Sequence, residues 1–330
     1  MTADVVSALA LVARRAAHLS ASASSPCPAC GRDDDAVLAE RADGVVVRHG
    51  DAVAKAHADT TDPADHRTRL AVAAHPLLSG ILLPPLPTAA AEVSGRPVTS
   101  WPYGTPVDPE DPAAAPWEET GTLLARLHSV PLDALSRTPL PPMRGPAKVA
   151  RALARLRAVS PPAPHPPPAE TAPVHHAAAT LPPWARGEAP PPPSPRALCH
   201  GDLHLGQLVR YPGSGGDWLL IDIDDLGVGD PAWDLARPAA WYAAGLLPPS
   251  AWEGFLGAYR AARGPAVPAH GDPWPRLDVA ARALTVQTTA LALAKCAAEH
   301  REPDDVERSM IDACARIAAI PPELGVGAPS

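Results

Sequence analysis

The stretch ALCHGDLHLGQLVRYPGSGGDWLLID, residues 197–222, places a dense run of polar residues directly before two apolar segments. The segments QLVRY and WLLID have strand-like composition, and the turn-rich joint PGSGGD between them predicts an antiparallel hairpin. Because a hairpin brings its two open ends together, we expect Asp202, Gln207 and Asp222 to lie close to one another. Carboxylate and amide oxygens without thiolates favour Mg²⁺. The stretch therefore predicts a magnesium and phosphate site.

The composition indicates a soluble protein that neither binds nucleic acid nor crosses a membrane. The 330 residues carry a net charge of −8, and the arginines are scattered instead of forming the basic face that nucleic-acid binding requires. Charged residues interrupt every apolar stretch that approaches the length of a membrane span, including Arg14 and Arg15 in the Ala/Leu-rich N-terminal segment. We expect an unprocessed cytoplasmic protein, either a monomer or a homodimer.

The five cysteines are dispersed and odd in number, so a secreted disulfide framework is not expected. Cys27 and Cys30, in PCPACG, have the spacing of a zinc-ligand pair. A second Cys or His pair does not follow within the usual distance in the sequence. The pair is therefore interpreted either as a turn with incidental thiols or as a metal half-site or redox pair.

Residues 1–104 are predicted to form a first domain built mainly of strands. The joints RADG and RHGD carry tight-turn signals, and they separate predicted strands at 36–42, 44–48 and 52–57. A helix at 65–78 and a hairpin centred on residues 94–96 follow. A helical extension over residues 1–25 precedes the strands.

Residues 105–330 are predicted to form a larger, mainly helical domain around the hairpin. Helices are predicted to begin near Pro116 and to lie at 148–159, 252–262, 277–300 and 304–320. Residues 161–195 hold fourteen of the 45 prolines. This density predicts an extended, loop-like or disordered insertion, with regular structure at most near residues 175–180.

Two motifs, their interval and the hairpin between them resemble the aminoglycoside phosphotransferase and choline kinase branch of the protein-kinase-like fold. HGDLHLGQ is similar to the catalytic loop of that family, in which Asn takes the place of Gln207. LLIDIDDLGVGDPAWDLA is similar to its metal loop and following helix. The resemblance implies an α+β, two-lobed fold, with a small antiparallel-sheet N-lobe and a larger helical C-lobe.

The resemblance also implies roles for individual residues of the two motifs. Asp202 would accept or orient the proton of the substrate hydroxyl, while Asp222 and Gln207 would bind Mg²⁺. His200 and the buried Asp234 would support the catalytic loop. These groups position and neutralise charge, which is most of what phosphoryl transfer requires of a protein.

In the first domain the resemblance implies a nucleotide site for ATP, with GTP left open. Lys55, on the third predicted strand, would pair with the phosphates. The nearest candidate for its acidic partner on the next helix is Asp65. Ser100, Trp101 and Tyr103 lie where the interlobe hinge of the family contacts adenine.

The predicted activity is phosphorylation of a hydroxyl group on a small polar molecule. Six acids and no basic residue between Asp217 and Asp234 suggest a cationic substrate, with His204, Asp224 and Asp225 beside it. An aminoglycoside-like antibiotic, and hence resistance, is the first interpretation. Because maltokinase-like members are similar in having HLGQ, a sugar or metabolic-alcohol kinase is the alternative. Two other interpretations are a nucleotide-binding pseudokinase and a metallophosphoesterase. The second follows from the Asp-x-His sequence of residues 202–204.

Overall fold

The chain divides into two compact units, each assembled from separate stretches of sequence. The structure is a computed structural model that describes residues 2–20, 30, 35–41, 44–89, 91–135, 139–159, 168–194 and 196–320. The first unit comprises residues 1–115, 131–141 and 205–224, and the second comprises 116–130, 142–204 and 225–330. Both units consist of several separate stretches, so they do not test the predicted domain boundary after residue 104. The boundary stays a prediction. Cys27 and the RADG turn residues 42–43 lie outside the described residues.

A five-stranded antiparallel sheet forms the centre of the first unit. The first elements of this unit are α1 (Thr2–Ser20), β1 (Asp35–Arg41), β2 (Gly44–His49), β3 (Ala52–Ala56), α2 (Pro63–Ala73), β4 (Ala91–Val93), β5 (Arg96–Pro102) and β6 (Thr105–Pro106). The strand order in the sheet is β1-β2-β3-β5-β4. The short helix α4 (Leu132–Leu135) also belongs to it. The strands and helices predicted for this region are therefore present.

Alternating burial explains how the sheet of the first unit packs. In β2, Val45 and Val47 are buried, and they form a core cluster with Ala54 of β3. Leu9 and Ala13 of α1 complete this cluster. The period of two along the strands meets the helical spacing of α1, so that α1 covers one face of the sheet.

The predicted hairpin is present in the first unit as β8 (Leu208–Tyr211) and β9 (Asp217–Leu220), which pair antiparallel. Leu208 faces Leu220 in the register, and β6 pairs with the other edge of β8. A single helical turn at residues 205–207 leads into β8. Gln207 and Asp222 therefore flank the open end of the hairpin, as predicted.

The second unit is helical around one two-stranded ladder. Its helices are α3 (Trp117–His128), α5 (Gly145–Ala158), α6 (Pro168–Thr180), α7 (Ala232–Ala244), α8 (Pro249–Ala261), α9 (Trp274–Glu299) and α10 (Asp305–Ala318). Its strands β7 (Ala197–Cys199) and β10 (Gly227–Gly229) pair antiparallel. The ladder brings the start of the HGD segment next to the entrance of α7.

The prediction for the proline-rich segment is wrong over residues 168–174, which form α6 together with residues 175–180, where the prediction allows regular structure. Proline at the first helical position needs no N–H partner, and Pro173 is accommodated within the helix. Val174 and Ala177 are buried in the main core cluster of the second unit, and this packing outweighs the low helix propensity. Residues 161–167 lie outside the described residues.

Within the described ranges, none of the helices combines the length and the apolar character that crossing a membrane would require.

Candidate active site

Lys55 lies between two carboxylates in the first unit. It lies near the end of β3, and its Nζ is 2.7 Å from Asp222 Oδ1 and 2.9 Å from Asp224 Oδ2. Burial on its own would lower the pKa of Lys55, but the two carboxylates raise it above its usual value. The lysine is therefore permanently charged, and one positive charge faces two negative ones.

Asp224 is held in place by a second contact, with the buried His57. His57 Nδ1 is 2.6 Å from Asp224 Oδ1, and its Nε2 is 2.7 Å from the hydroxyl of Thr99. Trp101 donates its indole N–H to the same hydroxyl. The Nδ1–H tautomer of His57 satisfies all of these groups, because the Thr99 hydroxyl then donates to Nε2. Despite burial, the contacts with His57 and Lys55 hold the pKa of Asp224 well below its usual value.

Asp222 and Gln207 provide oxygens that suit a divalent cation. Asp222 has a left-handed backbone, with φ of 65°, which aims its side chain from the end of β9. The amide of Gln207 is 3.5 Å from Asp222 Oδ2. An amide flip would present the oxygen of Gln207 at that place, and two oxygens on one Mg²⁺ lie about 3 to 4 Å apart. The excess negative charge beside Lys55 also fits a cation.

In the second unit, two cationic side chains contact one carboxylate oxygen of Asp202. Lys148 Nζ is 2.8 Å from Asp202 Oδ1, and Arg237 Nη2 is 3.1 Å from the same oxygen. Arg237 also donates its Nε–H to the carbonyl of Leu203 at 2.8 Å. Although burial opposes ionisation, the cations, with a smaller effect from His204, lower the pKa of Asp202 to about 2. Asp202 is therefore a carboxylate at neutral pH.

The backbone before Asp202 is fixed by Asp234, which is buried at the start of α7. The N–H groups of His200 and Gly201 donate to the Asp234 carboxylate at 2.6 and 2.8 Å. His128 contacts the same carboxylate at 3.0 Å, and the hydroxyl of Tyr259 lies 2.9 Å from the other nitrogen of His128. The network keeps the pKa of Asp234 below its usual value in spite of full burial. Asp234 thereby holds the loop from behind.

Gly201 is required by the conformation of this loop. Its φ is 83°, and an added Cβ would collide with the backbone carbonyl of Asp225. The Asp225 side chain lies 2.7 Å from Lys148 and 3.7 Å from Arg144. A small pocket opens beside Asp202. It is lined by Gly145, Lys148, Gly201, Asp202, Leu203, Trp233, Arg237, Leu284 and Gln287.

Comparison with known proteins identifies the family. The model of the phosphotransferase enzyme family matches residues 30–277, which is most of the chain. The chain belongs to this family. It is thus an enzyme, as the sequence predicts. No curated protein is similar enough in sequence to count as a relative of this phosphotransferase.

Solved structures share the fold of the phosphotransferase at low sequence identity. The apo form of a thermostable mutant of aminoglycoside phosphotransferase APH(4)-Ia has a TM-score of 0.59 and 17% identity, over 87% of this chain and 95% of that one. A ternary complex of another variant with AMP-PNP and hygromycin B has a TM-score of 0.57 and 17% identity, over 87% and 94%. A choline/ethanolamine kinase family protein from Mesorhizobium loti has a TM-score of 0.52 and 17% identity, over 93% of both chains. The predicted α+β, protein-kinase-like fold is confirmed.

The expected pairing of Lys55 with Asp65 is not formed in the phosphotransferase. Asp65 is half-buried on α2 and lies 3.8 Å from Arg69, one turn further along that helix. Asp222 and Asp224 take its place beside Lys55. Their carboxylates are adjacent to the lysine, so a helix carboxylate is not needed to neutralise it.

The three residues predicted at the hinge lie at the end of β5, and two of their side chains have packing contacts. Trp101 is tied to Thr99, and the ring of Tyr103 lies 3.5 Å below the guanidinium of Arg48. The Tyr103 N–H is also taken by the carbonyl of Asp51. The Ser100 hydroxyl is buried without a hydrogen-bond partner among the described residues.

The acids expected to face substrate are mostly paired with cations of the chain. Asp224 contacts Lys55, and Asp225 contacts Lys148. Asp230 lies 3.6 Å from Arg276. Because these charges are compensated internally, the acidic run does not produce an acidic surface of the strength that the sequence suggests.

Sequence reasoning missed three residues of this site, namely His57, Lys148 and Arg237. Lys148 could have been found from the scarcity of lysine, because it is one of only three in the chain. Arg237 follows Asp234 by three positions, so both lie near one face of α7. The signal for His57 is the period of two along a strand, because His57 follows Lys55 by two positions.

Proposed function

We propose that this phosphotransferase transfers the γ-phosphoryl group of ATP, with Mg²⁺, to a hydroxyl of a small polar molecule. The observation that carries the proposal is Lys55, held by Asp222 and Asp224 beside Gln207. A fixed lysine next to hard oxygen ligands can pair with phosphate oxygens and a divalent cation together. The complex of a similar structure with AMP-PNP supports ATP as the donor. GTP is the alternative donor, since these groups read phosphates and not the base.

The nucleotide side of the proposal assigns one task to each group. Lys55 would release one carboxylate oxygen and pair with phosphate oxygens instead. Asp222 and Gln207 would hold Mg²⁺, which neutralises phosphate charge when bound. Glutamine keeps the amide oxygen of asparagine and adds one methylene, so its reach is longer. The orphaned Ser100 hydroxyl and the nearby backbone carbonyls would face the purine, with Trp101 and Tyr103 supporting that strand end.

On the acceptor side, Asp202 would accept or orient the proton of the attacking hydroxyl. Lys148 and Arg237 both contact Oδ1, so Oδ2 is the proposed partner of the hydroxyl. Because the pKa of Asp202 is about 2, the carboxylate orients the hydroxyl and is a weak base. This suits phosphoryl transfer, which depends mainly on positioning. His200 and Asp234 would support the loop, with His204 close to the acceptor.

The charges around Asp202 favour a sugar or metabolic alcohol over an aminoglycoside as the acceptor. Lys148, Arg237 and Arg144 bring three positive charges to a region with the two carboxylates Asp202 and Asp225. A substrate with several ammonium groups would meet this net positive charge at close range. A neutral or anionic hydroxyl compound would not. The similar structure with bound hygromycin B keeps an aminoglycoside as the second candidate.

The test is incubation of purified protein with ATP, MgCl₂ and a panel of sugars, sugar acids, amino alcohols and aminoglycosides, with product mass as the readout. Asp202→Asn should abolish transfer and leave AMP-PNP binding unchanged by calorimetry. Asp217→Asn is the matched control, because Asp217 is an exposed acid of the same run. It should retain full activity.

Other results would point to the alternative functions. Nucleotide binding without phosphorylation of any compound would indicate a pseudokinase. Release of phosphate from a simple phosphoester without ATP would indicate a hydrolase instead. Turnover of Asp202→Asn at the unmodified rate would contradict the role assigned to this residue.

A further inference from the structure

A second cluster of possible metal ligands lies in the first unit, formed by His18, Cys30 and His49. Cys30 Sγ is 3.0 Å from His18 Nε2 and 3.5 Å from His49 Nε2. The three atoms all lie within 4.8 Å of one another. The two imidazole rings meet edge to face, with centroids 6.2 Å apart, and one nitrogen of each ring contacts the sulfur.

These separations fit donor atoms around one tetrahedral Zn²⁺ ion. With Zn–S of about 2.3 Å and Zn–N of about 2.0 Å, a sulfur and a nitrogen on the same ion lie about 3.5 Å apart. The contact of Cys30 with His49 has this value, and the contact with His18 is half an ångström shorter. A shift of this size is within the freedom of the exposed His18 side chain at the end of α1.

His49 is oriented in the way that metal-bound histidines usually are. It is fully buried, and its Nδ1 lies 2.6 Å from Asp35 Oδ1. Asp35 is held in turn by Arg14, at 2.7 Å. A proton on Nδ1 is thus shared with a carboxylate, which leaves the Nε2 lone pair directed towards Cys30.

The three donor atoms can therefore bind the same ion. We propose that His18, Cys30 and His49 bind one Zn²⁺ ion. The partners that PCPACG lacks in its immediate neighbourhood are one histidine before the motif, on α1, and one after it, at the end of β2.

The chemistry of the three ligands selects the metal. A thiolate and two imidazoles are ligands that Zn²⁺ prefers, whereas Mg²⁺ prefers oxygen. The ion would join the end of α1 to the end of β2, which pairs with β3, the strand of Lys55.

The experiment measures metal in the full chain, expressed with zinc, purified without chelator and freed of any affinity tag. Mass spectrometry of the metals should give about one Zn²⁺ per chain. Replacement by Co²⁺ should give the intense visible bands of tetrahedral cobalt and a thiolate-to-cobalt charge-transfer band. Cys30→Ser should remove that band, and His18→Ala should reduce bound zinc several-fold. His176→Ala, on an exposed face of α6, is the control and should retain the metal.

The wild-type cobalt spectrum does not depend on whether the variants fold. Reduced protein that takes up neither Zn²⁺ nor Co²⁺ at equimolar concentration would overturn the proposal. Uptake that survives Cys30→Ser unchanged would overturn it as well. A native mass two daltons below the reduced one, without metal, would identify a redox disulfide between Cys27 and Cys30 in its place.

Discussion

Replacement of Lys148 by methionine removes the cation that joins Asp202 to Asp225 and keeps a similar length of side chain. The pKa of Asp202 is about 2, against an ordinary 3.8, and this difference corresponds to about 2.5 kcal/mol shared between Lys148 and Arg237. Asp202 is 30% exposed, so solvent screening reduces the share of Lys148 to about 1 kcal/mol. The less exposed Asp225, left with a 3.7 Å contact, adds about 1 kcal/mol. We expect the variant to lose about 2 kcal/mol in unfolding free energy.

The pH dependence of this loss tests its cause. Because the pKa of Asp202 is lower in the folded than in the unfolded chain, its contribution is complete above pH 3.8 and disappears as the pH falls through about 2. Urea unfolding at pH 7 should therefore show the full difference, and unfolding near pH 3 a smaller one. Lys295→Met, at a lysine that is 65% exposed, is the control and should change stability by less than about 0.5 kcal/mol.

Activity gives the second measurement for Lys148→Met. We expect kcat for the acceptor found in the panel to fall roughly 10- to 100-fold, because Asp202 loses its orientation. The KM for ATP should stay within about twofold, since Lys148 is not among the groups proposed to bind nucleotide. The loss should be equal at pH 6, 7 and 8, where Asp202 is ionised in both proteins. A loss that higher pH repairs, or a stability difference no larger than that of Lys295→Met, would refute the reasoning.

Three further replacements test the remaining contacts. Gly201→Ala should abolish transfer and lower the melting temperature, because the added Cβ would collide with the backbone. Gly213→Ala is the control. Gly213 also has a positive φ, but the space around an added Cβ is open, so this variant should lose about 1–2 kcal/mol in unfolding free energy and keep its kcat. Asp234→Asn should lower the unfolding free energy by about 3 kcal/mol in urea titrations, because the contact of His128 and the two backbone hydrogen bonds with the buried carboxylate are weakened. Asp224→Asn should raise the KM for ATP several-fold by releasing Lys55, and an unchanged KM would exclude Asp224 as a support of the nucleotide site.

Local sequence signals predict much of this fold and part of the candidate site. The hairpin follows from apolar runs on both sides of a turn, and the position of Lys55 on β3 follows from short strands with tight joints. Such patterns involve neighbours in the chain. The proximity of Gln207 and Asp222 could be predicted because a hairpin brings its two open ends together.

Contacts between distant parts of the chain could not be predicted in this way. His57 and Asp224 are 167 positions apart, and Lys148 and Asp225 are 77 apart, so nothing in the local pattern relates them. The same reason explains why the acidic run favours a cationic substrate more strongly in the sequence than in the structure. The sequence displays the acids of residues 217–234 together, but their cationic partners come from other elements. In α6, buried apolar contacts outweighed a proline content that locally opposes a helix.

The division of the first unit into separate stretches has a consequence for the order in which the protein can form during synthesis. Lys55 and His57 leave the ribosome early, but Asp222 and Asp224 follow only after about two thirds of the chain has been made. Until then the two carboxylates that neutralise the lysine and the strand pair β8–β9 have not been synthesised. A fragment ending at residue 115 would therefore lack part of the proposed nucleotide site. Translation must reach residue 224 before the proposed phosphate-binding groups can assemble.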